Sequence, residues 1–316
     1  MSASLNHLAF VFPGQGSQAV GMLDVWRDHA AVRDTLAEAS DALGEDIAKL
    51  IAEGPKEALD LTTNTQPVML TAGVAVWRAW LAETGVRPAA VAGHSLGEYT
   101  ALVAAGALTL ADALPLVRFR AQAMQEAVPV GVGGMAAILG LDAEAVKAGC
   151  LQAAAESGQA VEAVNFNDPK QTVIAGSKAG VEKACEVLKA AGAKRALPLP
   201  VSAPFHSSLM KPAAERLKAQ LAATLFVAPQ IAVINNIDVA VTHDADAIRD
   251  ALYRQAFGPV RWVETILTLK ARGITHVVEC GPGKVLSGMV KRIDADIHTA
   301  ALSEPASLSE VQALLA

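Results

Sequence analysis

The chain has 316 residues, with 26 Lys and Arg against 32 Asp and Glu and a formal net charge of −6. Hydrophobic residues make up 52% and charged residues 18%, which excludes an intrinsically disordered chain, because disorder needs low hydrophobicity and high net charge. The acidic balance argues against nucleic acid as the main partner, since phosphate binding needs a basic surface.

Residues 8–12 are an apolar run ending in Pro-Gly, which predicts a buried strand feeding the turn Gly14-Gln15-Gly16-Ser17-Gln18. Helical patterns follow to about residue 85. Asn64-Thr65-Gln66-Pro67 predicts a helix start with proline in the first turn. Residues 89–92 predict a central parallel strand that ends at Gly93-His94-Ser95-Leu96-Gly97. A helix follows from about 96, and another over about 110–128 carries Arg118 and Arg120.

After the Gly-rich joint at 129–134 the pattern changes. A strand is expected at 135–139, a helix at 143–156, strands at 160–166 and 172–175, a helix at 180–191 and a strand at 195–199. The order β-α-β-β-α-β is the ferredoxin-like signature. Helices and short strands return after His206, with strands expected at 231–234 and 276–279. We therefore expect an α/β fold. Residues 1–130 and 200–316 form a parallel-sheet domain, and residues 131–199 form an inserted ferredoxin-like subdomain.

Cys150, Cys185 and Cys280 are scattered, with no CxxC pair, which fits a reducing compartment and assigns them no role. The first ten residues lack a basic region and a long apolar stretch, so no signal peptide is expected. The most apolar windows, near 68–82 and 101–117, are broken by Arg78 and by Asp112 with Pro115, so no membrane span is expected.

Gly93-His94-Ser95-Leu96-Gly97 is a G-x-S-x-G between a buried strand and a helix. That context lifts a serine hydroxyl out of a sharp turn and points free helix N–H groups at an oxyanion. A nucleophilic serine needs a base. His206 follows Ser95 by 111 residues in a loop, in the Ser-before-His order of such sites; by spacing alone it is either the base or a loop histidine. His94 adjoins the serine, but neighbouring side chains on a tight turn point apart. The 14–18 loop is either a plain turn or a source of an oxyanion-hole N–H. Arg118 and Arg120 either face solvent, or one of them turns inward as a fork for a substrate carboxylate.

Phe12-Pro13-Gly14-Gln15-Gly16-Ser17-Gln18, Gly93-His94-Ser95-Leu96-Gly97-Glu98-Tyr99, Arg120 with Met124-Gln125, and Pro204-Phe205-His206 together resemble the malonyl-CoA:acyl carrier protein transacylases of type II fatty acid synthesis. The resemblance runs from residue 8 to about 300. It implies an α/β-hydrolase-like core with a ferredoxin-like insertion, and ping-pong transfer of a malonyl group through Ser95. His206 would be the base, and the Gln15 and Leu96 N–H groups the oxyanion hole. Arg120 would pair with the malonyl carboxylate, and Gln66, His94 and Phe205 would line the substrate site. A main-chain carbonyl within 255–260, placed at Gly258, would orient the histidine. Phe205 resembles the malonyl-selective form of related polyketide acyltransferases.

No metal or redox cofactor is implied; malonyl-CoA and acyl carrier protein are the expected partners of a cytoplasmic monomer. Acidic carrier protein would need a local basic patch, for which Lys194, Arg195, Lys284, Lys291 and Arg292 are candidates. Three other readings use the same residues: a serine hydrolase or thioesterase, a domain that only binds carrier protein, and a polyketide acyltransferase with another extender unit.

Overall fold

The structure, a computed structural model, describes residues 4–201 and 203–315. Ser202, at the head of the loop that carries His206, lies outside the described residues, as do the first three residues and Ala316.

The first half of the chain runs β1 (Ser4–Phe12), α1 (Ala30–Leu43), α2 (Ile47–Glu53), α3 (Lys56–Leu59), α4 (Thr62–Thr84), β2 (Arg87–Gly93), α5 (Gly97–Ala104) and α6 (Leu110–Glu126). The insertion follows as β3 (Gly133–Leu139), α7 (Ala143–Ser157), β4 (Val161–Asp168), β5 (Gln171–Ser177), α8 (Lys178–Ala190) and β6 (Arg195–Pro198). The remainder is α9 (Lys211–Ala223), β7 (Ala232–Ile234), α10 (Ala245–Gln255), α11 (Trp262–Ala271), β8 (His276–Cys280), α12 (Val285–Ile293), β9 (His298–Leu302) and α13 (Pro305–Leu315).

Five parallel strands form the larger sheet, in the order β7-β2-β1-β8-β9. Leu8 to Phe12 are wholly buried, as expected of a central parallel strand covered on both faces. The loops after β1, β2 and β7 all leave the same carboxyl edge, the place where open α/β sheets hold their ligands. Two details depart from the sequence reading. Pro67 sits one turn inside α4, because the helix starts at Thr62. The edge strand β9 was not anticipated; four of its five residues are half-buried or exposed, so no apolar run marks it.

The smaller sheet is antiparallel, in the order β4-β5-β3-β6. Side chains alternate across its strands. Ala136, Ile138 and Ile174 pack with Val146 of α7 and Leu188 of α8, whereas Met135, Ala137 and Val173 turn the other way, toward Phe205 and Val201. That second face forms one wall over the larger sheet. The walls are tied where the Phe166 N–H donates to the Val260 carbonyl at 3.0 Å, and where Arg292 pairs with the buried Asp168 at 2.7 Å. No helix among the described residues is long and apolar enough to cross a membrane.

Candidate active site

Ser95 follows β2 in a turn with φ of +53°, a left-handed conformation that L-residues avoid. The flanking glycines allow the turn. A Cβ on Gly93 would lie 1.9 Å from the Gly97 carbonyl carbon, and one on Gly97 would lie 2.1 Å from the Phe12 carbonyl oxygen. Strand and helix therefore approach as only glycine permits, and the Ser95 hydroxyl stands clear of the backbone.

His206, also left-handed at φ +66°, is buried. Its Nε2 is 2.7 Å from Ser95 Oγ, and its Nδ1 is 2.9 Å from the Gln255 main-chain carbonyl oxygen. A carbonyl can only accept, so Nδ1 carries the ring proton, and Nε2 is left to accept from the serine hydroxyl. The carbonyl at 2.9 Å is that of Gln255, and the Gly258 backbone, the expected position, also acts on the ring to a smaller degree. Gln255 is the last residue of α10, and terminal helix carbonyls lack intrahelical partners. Gly258 also fills a close contact: a Cβ there would lie 2.4 Å from Ile237 Cδ1. Burial and the nearby Arg120 charge push the His206 pKa down to about 3, against the opposing pull of the Gln255 carbonyl. The free site therefore holds a neutral imidazole.

Arg120 is 2% exposed. Its Nη1 donates to Gln66 Oε1 at 2.8 Å, and its Nη2 to Gln255 Oε1 at 3.0 Å and to Ser95 Oγ at 3.3 Å. The guanidinium lies over the Tyr99 ring, 5.4 Å from its centroid. It forms no salt bridge with a carboxylate among the described residues, and its Nε has no hydrogen-bond partner. A buried fork of this kind is an unfilled anion receptor. Arg118, two residues away, pairs instead with Glu45 near the surface.

The Ser95 N–H is taken by Asn236 Oδ1 at 2.7 Å. Among the described residues the Leu96 and Gln15 N–H groups donate to no protein acceptor, and both residues line the pocket at Ser95. His94 turns away from Ser95. Its Nε2 meets Asn167 Oδ1 at 2.8 Å, its ring packs edge-on against Trp262, and burial lowers its pKa.

Three residues that the sequence reading gave no role complete the arrangement. The Gln255 side chain bridges Arg120, the Ser95 carbonyl and Glu98. Asn236 binds both sides of the elbow, and its own N–H donates to Glu98 Oε2 at 2.9 Å. Glu98 is 2% exposed. Burial pushes its pKa up to about 7, although its bonds from Gln255 and Asn236 pull the other way. Glu98 stands three residues after Ser95, one helical turn on, which is the one sequence signal that could have flagged it; Asn236 and Gln255 lie 141 and 160 residues away.

The pocket, about 130 Å³, is lined by Ser95, His206, Arg120, Gln66, Phe205 and Met124, among others. It joins a groove of about 690 Å³ through the shared residues Gln15, His94, Asn165, Val173, Leu199 and Val201. The groove runs between the 13–18 loop and the small sheet and suits an extended arm. Asn165 Oδ1 is buried there without a partner. Of the proposed docking cations, Lys194, Arg195, Lys284 and Lys291 are exposed, and Arg292 is held by Asp168.

Comparison with known proteins agrees with this geometry. The acyl transferase domain family matches residues 9–303. The malonyl CoA-acyl carrier protein transacylase of Salmonella typhimurium is 54% identical over 306 residues, covering 96% of this chain and 98% of the relative. The crystal structure of the acyl-carrier-protein S-malonyltransferase of Burkholderia pseudomallei superposes with a TM-score of 0.94 at 66% identity, over 96% of this chain and 98% of that one. A malonyl-transacylase solved in complex with a type II PKS acyl-carrier protein superposes with a TM-score of 0.94 at 50% identity, with the same coverage. A half-buried serine paired with a buried histidine beside an unfilled arginine fork, on a fold shared along almost the whole chain, places this protein in the acyl transferase domain family.

Proposed function

We propose that the protein transfers a malonyl group from malonyl-CoA to the pantetheine thiol of acyl carrier protein, through an ester on Ser95. The observation that carries this reading is Arg120, a buried guanidinium beside the Ser95 hydroxyl with no carboxylate paired to it among the described residues. A malonyl thioester brings both the electrophilic carbonyl and the missing anion. The names of relatives that the chain matches over almost their whole length support the same substrate pair.

His206 Nε2 takes the Ser95 proton while Oγ bonds to the thioester carbon. The carbonyl electron pair moves to oxygen, where the Gln15 and Leu96 N–H groups receive it. The intermediate collapses by breaking the C–S bond, and the departing CoA sulfur takes the proton from His206. In the second half the carrier thiol gives its proton to His206 and attacks the ester, and Ser95 leaves with that proton. No step draws on a metal or a redox group.

Arg120 links specificity to basicity. Burial and, after it, the Arg120 charge hold the His206 pKa down. A bound malonyl carboxylate offsets that charge, so the correct substrate makes the base stronger; an acetyl thioester leaves the guanidinium unpaired and the base weak. We assign the carrier's acidic surface to the exposed cations Lys194, Arg195, Lys284 and Lys291, and the chain to the cytoplasm as a monomer, a reading to which its three free cysteines are suited. The test compares release of CoA from malonyl-CoA with and without carrier protein. Turnover that depends on carrier and yields malonyl-carrier supports the assignment, whereas equal turnover without it makes the protein a thioesterase.

A further inference from the structure

The Ser95 turn is strained, and glycines permit it without holding it. What holds it comes from the far side of the sequence. Asn236 lies in the loop after β7 and is wholly buried. Its Oδ1 accepts the Ser95 N–H at 2.7 Å, and its Nδ2 donates to the Gly93 carbonyl at 2.6 Å. The amide is therefore a clamp across the turn, one arm on the last strand residue and the other on the nucleophile. Its orientation is fixed, because Ser95 N can only donate and Gly93 O can only accept. Behind it, the Asn236 main-chain N–H donates to Glu98 Oε2, which also receives Gln255 Nε2. The same Gln255 orients His206 and holds Arg120.

We propose that Asn236 is a positioning residue for the nucleophile, its carboxamide holding the Ser95 turn in its reactive geometry, with Glu98 fixing Asn236 from behind. The proposal rests on Ser95 being the nucleophile of the reading above. The clamp also decides which amide can serve an oxyanion. With the Ser95 N–H occupied, the Leu96 N–H is the elbow donor left facing the pocket. Only a carboxamide offers an acceptor and a donor at this size, so asparagine is required by chemistry rather than by volume.

The discriminating substitution is Asn236→Asp. The shape is kept, but at neutral pH a carboxylate oxygen faces the Gly93 carbonyl, and the clamp is replaced by repulsion. Protonation restores the donor. The ionisable groups around the site are Glu98 on α5, Arg120 on α6, Arg254 on α10, His206 beside Ser95, and Arg261 and Asp238 on the loops that flank it; Arg261 donates its main-chain N–H to the Asn236 carbonyl. Burial beside Glu98 favours the protonated form of the new group, which brings the recovery into a usable pH range.

The experiment follows labelling of Ser95 by a fluorophosphonate probe, in which Oγ displaces fluoride, read by intact mass at pH 5 and pH 8 on the full chain. Rates are expressed per folded molecule from a thermal melt at each pH. Wild type should label at both values. Asn236→Asp should be slower by roughly 10- to 100-fold at pH 8 and recover to within about threefold of wild type at pH 5. A ratio to wild type that is the same at both pH values overturns the proposal. If Asn236→Asp does not fold, Asn236→Ser decides. Slow labelling of the folded protein at both pH values supports the clamp, and labelling at the wild-type rate removes it. The probe needs no malonyl group, so wild type that labels but accepts no malonyl-CoA would sink the functional reading and leave this inference standing.

Discussion

His206 Nδ1 and the main-chain carbonyl oxygen of Gln255 are 2.9 Å apart, at the end of α10. Among the described residues no carboxylate orients the histidine; a backbone dipole does. The imidazolium formed during turnover therefore meets a neutral partner while Arg120 stands nearby, so the base is weak until a substrate anion arrives. That relationship sets the pH behaviour. The ring pKa is lowered to about 3 in the free protein, so the second-order rate of Ser95 acylation should stay within about twofold between pH 8 and pH 5. Rapid-quench measurement of the acyl-enzyme checks this, and an inflection near the ordinary histidine value would contradict it.

Arg120→Ala should lose malonyl transfer by roughly 10²–10⁴-fold, the scale of removing one partner from a buried ion pair at about 3–5 kcal/mol. Acetyl transfer should rise relative to malonyl transfer. In the same variant the His206 pKa should rise, because the charge that depresses it is gone; an NMR titration of the ring reads this directly. Equal loss with both acyl groups would make Arg120 structural.

Gly258→Ala separates the two placements of the orienting carbonyl. The added Cβ would press on Ile237 and on the Arg254 carbonyl, 2.4 and 2.8 Å away. A loss of about 1–3 kcal/mol in stability is expected from overpacking, with acylation per folded molecule nearly unchanged. Denaturant titration alongside the acylation rate tests it. A fall in rate well beyond the loss of folded protein would return Gly258 to the site.

Glu98 gives the stability a defined pH dependence. Its folded pKa is raised from 4.5 to about 7, so between those values the folded protein keeps a proton that the unfolded chain has released. Its contribution is complete below about 4.5 and is lost as pH rises through 7. His206 acts in the opposite sense: its folded pKa is depressed from 6.5 to about 3, so stability falls as pH drops through that window. Glu98→Gln should remove the first effect, gaining on wild type by about 3 kcal/mol between pH 4.5 and 7. Thermal melts across that range measure the difference, and a constant offset between the two proteins would rule the linkage out.

Charge reversal of Lys194 and Arg195 together should raise KM for carrier protein several-fold and leave KM for malonyl-CoA unchanged, because the groups lie outside the pocket and act on encounter. Steady-state kinetics with each substrate varied in turn separates the two; a matching rise for both would remove the docking assignment.

Much of the fold was legible because its signals are local. The runs at 8–12 and 89–92 are apolar because both faces of these strands are covered, and 135–139 is apolar throughout because its two faces meet two different cores. The edge strand β9 has little burial and so left no run. At the site, the Gly-x-Ser-x-Gly turn is readable because backbone proximity forces the glycines. Arg118 and Arg120 could not be separated by position; the difference is that Arg120 lies over Tyr99 in the interior and Arg118 reaches Glu45 near the surface. Asn236 was illegible for a different reason, and the orienting carbonyl was placed only to the run 255–260, through the family resemblance. They act on the elbow and the histidine across long stretches of chain, and a main-chain carbonyl carries no residue signature at all.

The most direct test of malonyl transfer through Ser95 is peptide-mapped mass spectrometry of the protein after malonyl-CoA alone, and again after addition of holo carrier protein. We expect one malonyl ester, on Ser95, discharged on addition of carrier with an equal gain of malonyl on the pantetheine thiol. A malonyl adduct that persists in Ser95→Ala, or an ester that discharges to free malonate at the same rate without carrier, would contradict it.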